Sequence, residues 1–304
     1  MRLAYYSLAN FPYDSREHQW IQSIRSMRRH NRSIPVWLFL FNGASNELLA
    51  EAERWGVHVC FLGDYGAFLQ KVHRRGSILA LYPTFHKFLV LTHLPLQTAT
   101  QILYLDCDTF FFDDVDRLFD LHGAQDWYAR EEFMSLRSPL GYDPNHVDEQ
   151  LLESIARREG LHYIPPFNSG VCLLNHGIWH SLYGMHDAYL GLAWRLLCGR
   201  ETSKPGDKVR DGLVGQAVTD AITDSDRTQA LPYPSTNNWI IEQIALWLAL
   251  GQLPQLSLGT LSSVQVLQGG EFETMPMAHR QCVLAHYFTG METKFFASVP
   301  AIAA

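Results

Sequence analysis

A chain of 304 residues, 47% apolar and 18% charged, is long enough to bury a large core, and this composition excludes a disordered or low-complexity protein. A formal charge of -7 argues against nucleic acid as the main partner, and it means that any anionic ligand must be met by a local lysine or a metal cation. Five scattered cysteines (Cys60, Cys107, Cys172, Cys198 and Cys282) form no CxxC pair and read as reduced core thiols. The opening MRLAYYSLAN enters a strand pattern without signal-peptide features. Ile244 to Leu250, the longest apolar stretch of the second half, is far short of the roughly 20 residues a membrane span needs. A cytoplasmic protein with no transmembrane segment is expected.

The first 120 residues alternate strand and helix. Residues 2 to 9 read as a strand, Arg16 to His30 as a helix with Trp20, Ile21, Ile24 and Met27 inward, and Pro35 to Phe41 as a second strand. A helix over Asn46 to Trp55, ended by Gly56, leads to a third strand at Val57 to Leu62. Tyr82 to Leu94 is helical, and Ile102 to Leu105 is a short apolar strand buried on both faces. This order predicts an α/β fold with a mostly parallel sheet, right-handed crossovers and helices on both faces.

That last strand stops at Asp106-Cys107-Asp108. Alternation places the two acids on one face and Cys107 on the other, a seat for a divalent cation outside the carboxyl end of a strand. The competing reading is a turn. Asp113, Asp114 and Asp116 just beyond suit only the start of a helix at Val115 to Leu121.

Later signals are sparser. Trp127 to Glu132 reads as a strand, Arg137 to Val147 as a loop of turn formers, Asp148 to Arg158 as a helix, Val171 to Asn175 as a strand and Trp179 to Leu197 as helical. Arg200 to Arg210 is polar. Asn168-Ser169-Gly170 before the strand is either a turn or a set of sugar-facing hydrogen-bond groups with a glycine for close approach. Asp211 either caps a helix at Gly212 to Ile222 or belongs to a site. In the apolar helix 237 to 250, Glu242 either complements the helix dipole or marks a site, since a buried acid needs a partner. A strand at Cys282 to Ala285 delivers His286, a residue type that completes a two-carboxylate cation site, with Gly290 and Lys294 beyond. No linker divides the chain.

Together these segments resemble the nucleotide-sugar glycosyltransferases of the GT-A fold, closest to the retaining family 8. Asn10-Phe11-Pro12-Tyr13 resembles the segment that holds uracil, Lys87 the basic residue on the helix before the acid pair, and Asp106-Cys107-Asp108 the metal motif. Phe167-Asn168-Ser169-Gly170-Val171 resembles the donor-sugar loop. His286, Gly290 and Lys294 resemble the end motif, with each gap one residue longer.

The resemblance implies a single GT-A (Rossmann-like) domain over 1 to 304, with a nucleotide-binding half to residue 120 and a donor-sugar and acceptor half after it. It implies Mn²⁺ or Mg²⁺ at Asp106, Asp108 and His286. A UDP-sugar would be held by Ser7, Asn10, Tyr13, Lys87, Cys107, Asn168, Ser169, Gly290 and Lys294, with Arg130 and Asn168 on the sugar hydroxyls. The family's Asp-Gln pair has no literal copy. Glu242-Gln243 is preferred for it over Asp211, with Lys87 and Asn168 also catalytic. Transfer goes to an unknown glycan, lipid-linked or protein acceptor. The rivals are a non-catalytic nucleotide-sugar binder on the same fold and a sugar nucleotidyltransferase, for which residues 7 to 16 lack the Gly-rich phosphate loop.

Overall fold

Val36–Phe41 is apolar at every position, and a strand of that kind is stable only inside a sheet covered on both sides. The computed structural model, which describes residues 1–11, 16–82, 84–120, 125–131, 147–203, 216–235, 240–269, 271, 282–287 and 292–298, places it so. The strands are β1 (Arg2–Ala9), β2 (Val36–Phe41), β3 (His58–Gly63), β4 (Gln101–Leu105), β5 (Thr109–Phe111), β6 (Trp127–Glu131), β7 (Phe167–Asn175), β8 (Leu258–Thr260), β9 (Val266–Gln268) and β10 (Leu284–His286). The helices are α1 (Glu17–His30), α2 (Asn46–Arg54), α3 (Tyr65–Val72), α4 (Gly76–Leu79), α5 (His86–Leu89), α6 (Asp116–Phe119), α7 (Glu149–Arg158), α8 (Trp179–Tyr183), α9 (His186–Ser203), α10 (Asp224–Thr228), α11 (Ile241–Leu250) and α12 (Glu292–Ser298).

Seven strands form one sheet in the order β3-β2-β1-β4-β7-β6-β8. β1 pairs in parallel with β2 and β4, β2 with β3, and β6 with β8, while β7 runs antiparallel to both its neighbours. The expected α/β architecture, a mostly parallel mixed sheet flanked by helices, is the one observed. Alternation along β1 sends Leu3 and Tyr5 into one apolar layer and Ala4, Tyr6 and Leu8 into the other, so the sheet has a core on each face. The first layer includes α9 and α11, and the second includes α1 and α2. Among the described residues no helix is long and apolar enough to cross a membrane.

A second sheet, β5-β10-β9, decides where the site forms. β10 lies antiparallel to β5 with His286 opposite Thr109, which sets the end of the chain beside the residue that follows Asp108. Phe110, Leu267, Ala285, Tyr287 and Phe295 form its apolar underside, and the Tyr287 and Phe295 rings stack at 4.8 Å.

Several elements depart from the sequence reading. The helix expected over Tyr82 to Leu94 is α5 followed by a 3₁₀ turn at Val90–His93, and the one over Trp179 to Leu197 is split at Gly184 into α8 and α9. β10 starts two residues later than the expected Cys282. β7 begins at Phe167, so Asn168-Ser169-Gly170 is strand, and the turn reading is wrong. The pairing with β6 jumps from Ala129–Cys172 to Arg130–Asn168, which leaves Ser169, Gly170 and Val171 as a bulge on that side. The 137 to 146 loop, residues 204 to 215 with Asp211, Tyr13 and Gly290 lie outside the described residues.

On α9 the glycine at 199 is set by contact rather than by helix geometry. A Cβ there would lie 1.7 Å from the Leu231 carbonyl oxygen, a backbone atom that cannot swing away. Gly199→Ala is expected to destabilise the fold by about 1–3 kcal/mol, the usual cost of overpacking. Urea unfolding would show it as a lower midpoint with an unchanged m-value.

Candidate active site

β4 ends at Leu105, and the chain carries the sheet pairing one step further through Asp106 N, which donates to Gly170 O at 2.7 Å. Thr109 Oγ1 donates to Asp106 O at 3.0 Å, and Ser23 Oγ on α1 holds that hydroxyl at 2.7 Å. These bonds fix the turn that aims the acids, while Cys107 packs into the core and its thiol is pushed up by burial and then by the two aspartates. Tyr287 N donates to Asp108 O at 3.0 Å, tying the second sheet to the acid pair.

Through that link His286 Nε2 lies 3.2 Å from Asp108 Oδ1 and 3.7 Å from Asp106 Oδ2. Ligand atoms of the three side chains all fall within 4.8 Å of one another. Donors around one cation at about 2.0–2.3 Å are spaced on this scale, and two carboxylates with an imidazole suit Mn²⁺ or Mg²⁺. The three residues therefore fit a divalent cation.

Gly170 has a different partner from the one its sequence suggested. A Cβ at this position would lie 2.1 Å from His286 Cε1 and 2.6 Å from each ring nitrogen, so the group that comes close to the glycine is the imidazole. The missing side chain makes room for a metal-ligand candidate rather than for a sugar.

Lys87, on α5, is buried beside the acids. Its Nζ lies 3.0 Å from Asp106 Oδ2, 3.1 Å from Ser169 Oγ and 3.4 Å from Glu242 Oε2. Burial disfavours its charge, but Asp106 and Glu242 more than offset that and the net shift is upward. Tyr104, two residues before Asp106 on the same face, donates its hydroxyl to Asp106 Oδ1.

α11 brings Glu242 and Gln243 into this cluster. Ser169 Oγ donates to Glu242 Oε2 at 3.3 Å, and Ser169 N donates to Gln243 Oε1 at 3.0 Å, which occupies the backbone group released by the bulge in β7. Burial pushes the Glu242 carboxyl up to about 7 against the pull of Lys87. Glu242 Oε1 is buried with no hydrogen-bond partner among the described residues.

The remaining sequence candidates divide. Ser7 Oγ sits 2.6 Å from His86 Nδ1, in a pocket that also touches Arg16, Lys87 and Asp106. His86 and Arg16 were missed, although His86 adjoins Lys87 in the sequence. Asn10 Nδ2 donates to Glu17 Oε1 at 2.5 Å and Gly43 O at 2.9 Å, and Asn168 Oδ1 accepts from Gly170 N at 2.9 Å within its own strand. Lys294 lies exposed on α12. Arg130 does not join the cluster: its guanidinium is engaged by Glu271 Oε1 at 2.5 Å and Leu261 O at 3.0 Å.

No protein-family model matches the sequence, and no curated protein matches it. Solved structures do match the fold. The apo structure of the bifunctional glycosyltransferase WbbM aligns with TM-score 0.54 and 12% identity, covering 94% of this chain and 45% of that one. The apo form of the glycosyltransferase GlyE in Streptococcus pneumoniae TIGR4 aligns with TM-score 0.50 and 16% identity over 99% and 61%. The galactosyltransferase LgtC in complex with donor and acceptor sugar analogues aligns at 0.49 and 13% identity over 100% and 97%. The chain thus spans less than two thirds of the WbbM and GlyE chains, and its fold is the GT-A glycosyltransferase fold.

Gly170→Ala should displace the imidazole while leaving the aspartates in place. Mn²⁺ binding followed by electron paramagnetic resonance is expected to weaken by about tenfold or more, the scale seen when a metal ligand is misoriented.

Proposed function

We propose that the chain is a metal-dependent glycosyltransferase that moves a sugar from a UDP-sugar to an acceptor. The observation that carries this reading is the meeting of Asp106, Asp108 and His286, from distant segments of the chain, beside Lys87, Glu242 and Gln243 at the carboxyl end of β4. In open α/β sheets that edge is where ligands bind. Mn²⁺ or Mg²⁺ held by Asp106, Asp108 and His286 would act as a Lewis acid on the leaving diphosphate.

The protein's own groups have distinct tasks. Lys87, kept charged by Asp106 and Glu242, adds fixed positive potential where charge develops on the leaving group. Glu242 and Gln243 are assigned to the reacting sugar carbon, where a carboxylate stabilises oxocarbenium character. Asn168 and Ser169 face the sugar, Ser7, Asn10, Tyr13 and the backbone at Cys107 hold the nucleoside, and Gly290 and Lys294 approach the phosphates. In this reading residues 1 to 120 bind nucleotide, the remainder handles donor sugar and acceptor, and β4 and β7 meet at the junction. Retention of anomeric configuration and a cytoplasmic location complete the proposal, the latter in keeping with five free cysteines.

A donor screen of UDP- and GDP-sugars with Mn²⁺ tests it. Turnover is expected with a UDP-sugar and should be lost with EDTA or Asp108→Ala; UDP binding without turnover across the panel would identify a non-catalytic binder. Glu242→Gln should lower kcat by about 10²-fold or more, the scale of removing one preorganised electrostatic contact. The Glu242 carboxyl, pushed up to about 7, is mostly ionised only above that value, so kcat should fall as pH drops through about 7 or somewhat below. Glu242→Gln should abolish that limb.

A further inference from the structure

β9 carries one residue to which the proposed chemistry gives no task. Val266 and Leu267 are apolar, as suits a covered sheet, but the strand ends in Gln268, which is 2% exposed. Both polar atoms of its side chain, Oε1 and Nε2, are buried without a hydrogen-bond partner among the described residues. A leucine or methionine would fill this place without desolvating an amide, so a carboxamide here is costly unless some state of the protein gives it a partner.

The strand register points to that partner. β10 pairs antiparallel with β5 and parallel with β9, and one row across the three strands reads Thr109, His286, Gln268. The next row, Phe110, Ala285 and Leu267, belongs to the apolar underside, so alternation turns the Thr109 row to the opposite face. The row after that, Phe111, Leu284 and Val266, shares this opposite face and joins an apolar layer of the main sheet. In-register neighbours on adjacent strands lie about 4.8 Å apart and project the same way. The Gln268 carboxamide and the His286 imidazole therefore leave the sheet side by side.

The main chain at Gln268 is anchored without help from that amide. Gln268 N donates to Glu271 Oε2 at 2.7 Å, and Arg130 Nη2 donates to Glu271 Oε1 at 2.5 Å. These bonds tie β9 to β6.

The imidazole has a use for its neighbour. Nε2 is the ring nitrogen turned to the acids, 3.2 Å from Asp108 Oδ1 and 3.7 Å from Asp106 Oδ2. An imidazole binds a cation through a nitrogen lone pair, so if Nε2 does this the ring proton sits on Nδ1, and that N–H needs an acceptor, which also fixes the ring's orientation. A carboxamide meets both states of the ring: its oxygen accepts from a protonated nitrogen, and its NH₂ donates to a bare one. A carboxylate serves only the first.

We infer that Gln268 is a positioning residue for His286, its side-chain oxygen accepting from Nδ1–H when Nε2 holds a divalent cation. The inference rests on the reading of Asp106, Asp108 and His286 as a cation site, and it adds a residue from a third strand to that site.

Gln268→Met removes both polar atoms at similar size and no change of charge, and Gln268→Glu keeps an acceptor. Mn²⁺ binding followed by electron paramagnetic resonance is expected to be about tenfold or more weaker in Gln268→Met, and in Gln268→Glu no more than about threefold weaker than wild type. A second readout is the ring itself. In protein carrying ¹⁵N-labelled histidine and loaded with diamagnetic Mg²⁺, the His286 signals, assigned by their loss in His286→Gln, should show a protonated Nδ1 whose proton exchanges slowly with water. That exchange should quicken in Gln268→Met and stay slow in Gln268→Glu, which carries the test by itself if Gln268→Met does not fold. Unchanged Mn²⁺ affinity in Gln268→Met, equal losses in the two variants, a bare Nδ1 in the loaded wild type, or rapid exchange in Gln268→Glu would overturn the inference. If wild type binds Mn²⁺ and Gln268→Met binds it equally well, only this inference fails. If wild type takes up no Mn²⁺, the cation reading fails and the inference falls with it.

Discussion

Two carboxylates two residues apart at the end of a buried strand repel each other, and most of the polar structure around β4 is a response to that repulsion. Asp106 is met on one oxygen by the Tyr104 hydroxyl and on the other by Lys87, while Asp108 faces His286. Of these partners only Tyr104 is local in sequence. Lys87 comes from the first half of the chain and His286 from its end, so the acids can be buried only if the whole fold has assembled. Burial without partners would be prohibitive.

The backbone answers the same constraint. A straight β7 would pair fully with β6; the bulge at Ser169 to Val171 instead turns Ser169 toward Lys87, Glu242 and Gln243 and exposes the flat face of Gly170 to the imidazole. A strand that gives up part of its ladder must satisfy the released groups elsewhere, and Gln243 does this for Ser169 N. The irregularity and the amide side chain are therefore one feature: without Gln243 the bulge leaves a buried donor unpaired.

Much of this was legible in the sequence because it follows short-range rules. Apolar runs such as Val36–Phe41 and the alternation of Leu3 and Tyr5 against Ala4 and Tyr6 define the parallel half of the sheet. The acid pair and His286 could be proposed because strand ends are where such groups collect, and Lys87 only through the family resemblance. What could not be read is what depends on pairing between distant segments. Asn-Ser-Gly has the composition of a turn, and only pairing with β4 and β6 makes it strand. β5 was not read at all, because its three residues gain a partner only from β10, far away in the chain. Arg130 looked available until Glu271, beyond any local pattern, was seen to hold it.

The buried charges also explain one another. Counting the ionised acids Asp106, Asp108 and Glu242 against Lys87 gives three negative charges to one positive, a net of two (3 − 1 = 2), in a region largely removed from water. Such a cluster can shed charge by holding a proton, and the raised Glu242 carboxyl is where it does so. It can also shed charge by taking up a dication at Asp106, Asp108 and His286, which balances the deficit with Glu242 ionised. Proton and cation are then alternative answers to the same excess. Cation uptake would favour the ionised form of Glu242, so in the proposed reaction the acid pair and Glu242 would act as one electrostatic unit although they belong to a strand end and a helix far apart in the chain.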